Sequence, residues 1–288
     1  MEFAEWARYG QKGSKGLPRR LGDLAKPRQV FAESLWLLNV LAYALSVTAT
    51  SGESTLRDRL YEAYASQHAG CGGAAATALI YRRDIRPLLP PPTAGSVIDI
   101  GCGQGALMKL LLADRYDAHG VDISPEQVRL ARASGLAQVR HGDYRDALAA
   151  SPGQFAAVTA TDLLEHLTKD EVLDTFDRVA RALTARGVFI ARVPNAVSPL
   201  GGHIRYGDFT HESSYTERSV RQLAAAAGFC DVAVHPCPPV AHGLLSAARV
   251  AAWKPVSGLF KIALAAETGQ LRGHVVTQNL MFVARNAG

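Results

Sequence analysis

Aspartates 99, 122, 143 and 162 recur along the chain at intervals of roughly twenty residues, each at or just past the end of a short apolar run. The first belongs to the segment VIDIGCGQGA, Val97 to Ala106, in which a buried-type strand runs straight into a glycine-rich turn. Glycines there let a backbone turn tightly and approach a ligand with no Cβ in the way. Gly101, Gly103 and Ala106 also satisfy the dinucleotide pattern G-x-G-x-x-A, Asp122 alone would suit NAD equally well, and a glycine turn with no ligand stays open. The row of anions separates these readings. It suits a ligand with a ribose diol, an amino-bearing base and cationic centres, and suits a doubly anionic pyrophosphate poorly, because like charges in a cleft repel.

Two further clusters could carry the chemistry. In TDLLEHL, Thr161 to Leu167, Asp162, Glu165 and His166 offer a proton acceptor or a weak metal set, while Asp162 with Glu165 also reads as a helix capping box. Asp122 and Asp143 can likewise be read as caps of the helices that follow them. The second cluster is the connection 194–216, which crowds His203, Arg205, Tyr206, Asp208, His211, Glu212 and Tyr215 into one segment. Structureless loops of that length in a compact domain are usually functional, and so many convergent polar groups point to substrate binding.

The elements that must position these groups alternate. Strands are expected at Ser96–Ile100, Ala118–Asp122, Gln138–His141, Phe155–Thr159, Gly187–Val193, Asp231–His235 and Val275–Ala284. Helices are expected at Ala106–Ala113, Pro125–Ser134, Lys169–Leu183 and Glu217–Ala227. Such alternation predicts a doubly wound, Rossmann-like α/β fold, a mostly parallel sheet with helices on both faces and an antiparallel last strand. Ligands of such sheets sit outside the carboxyl ends of the strands.

Upstream, Pro90, Pro91 and Pro92 form a breaker, so the chain divides into a basic and apolar extension (1–54), a helical cap (55–92) with helices at Thr55–Ala65 and Ala74–Arg86, and the main domain (93–288). Within the extension, Lys12, Lys15, Arg19, Arg20, Lys26 and Arg28 precede the apolar run Leu35–Val47, which is shorter than the roughly 20 residues a membrane span needs. Its basic leader is too long for a signal peptide, so export is not expected; a peripheral helix, or residues ahead of the native start, is. Gly243–Ala265 reads as an amphipathic pair of helices broken at Pro255, inside a helical lid over 241–268. A lid, a packed face or a dimer face is expected there ahead of contact with an anionic membrane, because its basic residues are few.

With 288 residues, 48% of them hydrophobic, one large core is the default. Cys71, Cys102, Cys230 and Cys237 form no C-x-x-C pair, which argues against a structural zinc site or a disulfide framework and for a reducing, cytoplasmic setting. The net charge of +5 is spread over the chain without a nucleic-acid module, so no nucleic-acid partner is expected.

On these residues the chain resembles class I S-adenosylmethionine-dependent methyltransferases: VIDIGCGQG is similar to their first motif, GVDIS (Gly120 to Ser124) to their second, and HGDY (His141 to Tyr144) to their third. The resemblance implies S-adenosylmethionine as cofactor. Gly101 and Gly103 would line its methionine part, with Cys102 and Gly105 in the same turn and Asp99 near the ammonium. Asp122 would take the ribose hydroxyls beside Ile123, Asp143 the adenine amino group and Tyr144 the ring, with Thr161 and Asp162 completing the set.

Further, D-x-x-E-H at Asp162 to His166 resembles the E-x-x-E-H of quinone O-methyltransferases, which can hold a divalent cation; Asp162 replaces a Glu here, and a metal is not expected. The 194–216 segment, with Tyr61–Gly70 and Ala266–Leu280, resembles bacterial methyltransferases associated with surface polysaccharides and glycolipids. The expected reaction is therefore O-methylation of a sugar hydroxyl, on a small or lipid-linked substrate, with at most peripheral membrane contact and a possible homodimer. Methylation of a small phenol or quinone, N-methylation of an amino sugar, a nucleic-acid methyltransferase and a catalytically dead cofactor-binding regulator are the alternatives. In the expected roles His211 is the base, His166 the second candidate, Glu212 or Asp208 orients the base, and His203, Arg205, Tyr206 and Tyr215 bind substrate.

Overall fold

The computed structural model describes residues 74–287. The expected extension (1–54), the helix Thr55–Ala65, the Tyr61–Gly70 segment and Cys71 lie outside the described residues.

A sheet of seven strands forms the centre, in the order β3-β2-β1-β4-β5-β7-β6. Its strands are β1 (Ser96–Ile100), β2 (Ala118–Asp122), β3 (Val139–His141), β4 (Phe155–Thr161), β5 (Leu183–Pro194), β6 (Phe229–Pro236) and β7 (Asn279–Asn286). β1 to β5 pair in parallel, while β7 is inserted antiparallel between β5 and β6. This is the expected architecture, and the reversal of direction around β1 and β4 opens a crevice at the carboxyl edge.

The helices are α1 (Ala74–Ile80), α2 (Ala106–Ala113), α3 (Pro125–Ala133), α4 (Tyr144–Ala149), α5 (Lys169–Ala182), α6 (Gly201–Arg205), α7 (Glu217–Ala226) and α8 (Leu244–Thr268). Side chains alternate along each strand, so β1 sends Ile98 and Ile100 to one layer and Val97 to the other. The first layer meets α4, α5 and α7, and at its middle Phe176 lies edge to face on Phe189, which meets Phe282 likewise, with ring centroids 5.3 and 5.4 Å apart. The second layer packs Leu107, Met108 and Leu111 of α2 with Val128 of α3, and with Tyr81 and Ile85, which continue α1 as a π turn.

Caps set where the helices begin. Ser124 accepts from the N–H of Gln127 with Pro125 in the first turn, and Thr168 with Glu171 forms a full capping box at α5. That box replaces the one expected at Asp162 and Glu165: residues 164–166 form only a single 3-10 turn, which has no side-chain cap.

Other expectations are corrected. α8 is one helix through Pro255 rather than a pair, since a proline removes one ladder bond without obliging the neighbouring turns to unwind. β7 begins at Asn279, not Val275, because the carbonyls of Val275 and Thr277 are bonded instead to the side-chain amide of Asn195. The segment 194–216 is not structureless, as it contains α6 and a bridge between Asn195 and Tyr215.

Candidate active site at the carboxyl edge of the sheet

The glycine turn leaves β1 with Gly101, Gly103 and Gly105 all at positive φ (66°, 53° and 76°), a conformation L side chains rarely adopt. A Cβ on Gly101 would lie 3.0 Å from Leu163, and one on Gly105 would run into Leu136. At Gly103 a Cβ would meet only the Gln127 side chain, at 3.9 Å and in ordinary contact, so that position is the least crowded of the three. The N–H groups of Gly101 and Cys102 both donate to the carbonyl of Val121, tying the turn to β2. Cys102 itself is buried against Gly120, and burial raises its thiol well above the usual range.

Each strand-end carboxylate has a distinct environment. Asp99 is buried beneath the turn and accepts from the Thr159 hydroxyl at 2.7 Å; burial, then the charge of Asp122, pushes it up to about 7. Asp122 accepts from the N–H of Gly103 and of Ser124, both at 2.8 Å, and is raised by burial. A carboxylate has about four lone-pair sites, so Asp122 retains capacity for a ligand while it clips the turn to α3. Ile123 beside it is exposed.

Asp143 is the N-cap of α4 and pairs with the Arg145 guanidinium at 2.7 Å. Burial alone would raise it, but the bonds and charge of Arg145 hold it below the usual carboxylate range. The cap reading and the strand-end reading of Asp143 therefore describe one side chain. Tyr144 directs its hydroxyl to Thr175 at 2.8 Å. Thr161 ends β4, and Asp162, at φ 56°, forms a two-point ion pair with Arg192 of β5.

The 3-10 turn after Asp162 and the 194–216 segment are clipped together. The carbonyl of Glu165 accepts from the N–H of Glu212 (2.6 Å) and of Ser213 (3.2 Å), and the hydroxyl of Tyr215 donates to the Leu164 carbonyl at 2.8 Å. These bonds bring Glu165, His166 and His211 together, with a potential ligand atom from each lying within 4.8 Å of the others. The imidazoles meet edge to face, centroids 4.6 Å apart. The His211 Nδ1 must donate to the carbonyl of Ile204 at 3.0 Å, which leaves the lone pair on Nε2. His166 Nδ1 meets the Thr210 hydroxyl at 2.7 Å, and that hydroxyl donates to Asp208 at 2.6 Å. Glu165 is buried, its Oε2 has no hydrogen-bond partner among the described residues, and burial, then the charge of Asp162, keeps its carboxyl well above its ordinary value.

The expected groups meet these partners. Asp208 is linked to His166 through the Thr210 hydroxyl, the side chain of Glu212 is exposed, and the His211 ring is held by a main-chain carbonyl. Arg205 spends its guanidinium on the carbonyls of His211 and Glu212, and Tyr215 is buried with its hydroxyl used, so both hold the segment in shape. His203 and Tyr206 are exposed. Of the three residues weighed for a metal, Asp162 is committed to Arg192, and His211 stands in its place.

A cavity of about 530 Å³ adjoins this edge, lined among others by Ile80, Arg83, Arg192, Leu200, Trp253 and Val256. Arg192 belongs to both the cavity and the Asp162 pair. The helical segment expected at 241–268 supplies Trp253 and Val256 to this cavity, whereas Ile80 and Arg83 were not expected there, since no local pattern signals a cavity built from four distant segments.

The methyltransferase-domain family matches residues 75–234. Ubiquinone biosynthesis O-methyltransferase of Xylella fastidiosa is 34% identical over 82 residues, 27% of this chain and 33% of that protein. The protein of the same name from Xanthomonas campestris is 37% identical over 76 residues, 25% and 32% of the respective chains. The chain thus spans about a third of the length of these relatives.

Among solved structures, an S-adenosylmethionine-dependent methyltransferase from Archaeoglobus fulgidus superposes with a TM-score of 0.59 at 18% identity, over 77% of this chain and 99% of that one. Phosphoethanolamine N-methyltransferase 2 of Haemonchus contortus, in complex with S-adenosylmethionine, does so at 0.54 and 18% identity, over 82% and 61%. These likenesses establish the fold. Because the family match runs over more than half of the chain and takes in every strand from β1 to β5, this protein belongs to the methyltransferase-domain family, as a class I, S-adenosylmethionine-dependent member.

Proposed function

We propose that the chain transfers the methyl group of S-adenosylmethionine to a hydroxyl on a small acceptor with an apolar body, of the phenol or quinol kind. The observation that carries this reading is the cavity beside Arg192, whose walls include Ile80, Leu200, Trp253 and Val256. The names of the partial relatives point the same way. Of the two substrate classes raised by the sequence, a bare sugar hydroxyl fits those apolar walls less well. A glycolipid remains the second reading, favoured by the exposed His203 and Tyr206 on the 194–216 segment.

The residues at the edge fit the cofactor. The turn at Gly103, where a Cβ would meet no atom nearer than 3.9 Å, would lie against its methionine part, Asp122 and Asp143 would take the ribose and the adenine amino group, Ile123 would offer an apolar surface to the ring, and Asp99 would supply an anion near the ammonium. The bound cofactor supplies an electrophilic methyl group on a sulfonium. The chain must align the acceptor and take one proton, and alignment contributes much of the rate. His211, with Nδ1 held by a carbonyl and the lone pair on Nε2, is the proton acceptor; His166 beside it is the alternative.

The test measures transfer of labelled methyl from the cofactor to an alkyl catechol and to a glycolipid, with wild type, His211→Ala and His166→Ala. His211→Ala should lower turnover on the catechol by about 100-fold to 10,000-fold with cofactor affinity unchanged. Full activity in His211→Ala with loss in His166→Ala would exchange the two roles. Loss of turnover on chelation by EDTA, restored by a divalent cation, would make Glu165, His166 and His211 a metal centre. Transfer to the glycolipid alone would overturn the phenol reading.

A further inference from the structure

α8 is 25 residues long and built largely of Ala, Leu, Val, Ile, Trp and Phe, yet Ser246 is its only buried residue. Helices apolar on most sides are ordinarily enclosed by protein or by lipid. Packing against the domain, the sequence's expectation for this segment, accounts for one face only: Trp253, half-buried, lines the cavity, with Phe260 beside it at 6.4 Å between rings.

At 100° per residue, Leu244, Leu245, Leu259 and Ile262 fall within an arc of about 100° on a different face, bordered by Val256 of the cavity wall. Leu244 is 93% exposed, Leu259 67% and Ile262 68%, and Leu271 just past the helix is 86% exposed. Lys254 and Lys261 stand on one side of this arc, Arg249 lies beyond its other edge among the residues that line the cavity, and Glu267 is the helix's one acid. Among the described residues no helix is long and apolar enough to cross a membrane.

An exposed apolar arc flanked by lysines, on a helix that does not span, can immerse in a lipid interface while the lysines stay at the headgroups. We propose that α8 docks on an anionic lipid bilayer, its Leu244 to Ile262 arc immersed at the level of the headgroups and Lys254 and Lys261 meeting lipid phosphates. Charge complementarity selects the bilayer over a second copy of the chain, because an isologous contact would set each copy's two flanking lysines near the other's. The helix that docks also walls the cavity, so an acceptor with an apolar body would reach the cavity from the bilayer. That last step rests on the proposed function; the docking itself does not.

Flotation of the full chain with vesicles tests the docking, using phosphatidylcholine alone and phosphatidylcholine mixed equally with phosphatidylglycerol. Wild type should float with the mixed vesicles and weakly or not at all with the neutral ones. The double variant Leu259→Glu with Ile262→Glu should lose roughly tenfold or more in vesicle affinity, with cofactor affinity unchanged. Equal flotation of variant and wild type would overturn the proposal and assign any lipid contact to another part of the chain. A variant that sediments as a smaller species than wild type would identify a second copy as the occupant. A variant that unfolds at lower denaturant while wild type ignores both vesicles would identify the chain's own residues. Both results overturn it. Failure of methyl transfer to catechols would leave the docking result standing, so the two readings fall separately.

Discussion

Asp99 shows how one buried carboxylate can couple stability, pH and ligand. Its carboxyl, pushed up to about 7, is beyond the reach of water, and its bonded neighbour is the neutral hydroxyl of Thr159. In the unfolded chain an aspartate titrates near 3.9. Below about pH 4 both states are protonated and burial costs nothing. As the pH climbs through the interval up to about 7, the unfolded chain gives up its proton while the folded chain keeps it, so stability falls, and above about 7 it falls no further on this account. Denaturant titrations at a series of pH values should therefore show wild type losing stability relative to Asp99→Asn between about pH 4 and 7, with a constant difference above. Parallel curves across that interval would mean that Asp99 is solvated. An ammonium brought near Asp99 would favour the ionised form, so cofactor binding near pH 7 should release a proton in wild type and none in the asparagine variant.

At the scale of elements, the buried Asn195 fixes the root of the 194–216 segment. Its amide donates to the carbonyls of Val275 (2.7 Å) and Thr277 (2.8 Å), and its oxygen accepts from the N–H of Val197 at 3.0 Å. Asn195→Ala would leave these main-chain groups without that partner, so unfolding should become easier by about 1–3 kcal/mol, read from the denaturant midpoint at unchanged slope. An unchanged midpoint would show that water replaces the amide. Elements with a full period were legible in the sequence: β1, α2 and β2 lie where their patterns put them, and the glycine turn between them needs only local chemistry. The missed elements depend on contacts that pattern does not carry. α4 is six residues long, too short for an apolar stripe, although Asp143 as its N-cap was a signal that could have found it. β5 starts at Leu183 because Leu183 pairs with Phe155 across the sheet. The trio Glu165, His166 and His211 was half visible, since two members are adjacent, whereas the third arrives through the hydrogen bonds of Glu212 and Ser213 to the Glu165 carbonyl.

For the molecule as a whole, the question is where the self-sufficient part begins. Among the described residues the two hydrophobic layers run from Tyr81 in α1's continuation to Ala284 in β7, and their largest fully buried side chains come from the sheet and the helices beside it. Tyr81 anchors the early end of this body: it is buried, donates from its hydroxyl to Asp114 at 2.9 Å, and packs in the layer that holds Met108 and Leu111. The family match begins at residue 75, close to the same point. The turn that continues α1 thus packs with the main body, and a boundary near residue 54 is the proposal that truncation tests. A chain starting at Ser51 should therefore remain soluble, unfold in one transition and bind S-adenosylmethionine as tightly as the full chain, whereas one starting at Arg86 removes Tyr81 and Ile85 from the second layer and should lose several kcal/mol of stability, the usual cost of emptying a core position. Calorimetric titration of the cofactor and denaturant unfolding on both truncations distinguish the cases. Aggregation or lost affinity of the chain starting at Ser51 would show that the run Leu35–Val47 belongs to the core, and would move the boundary to its far side.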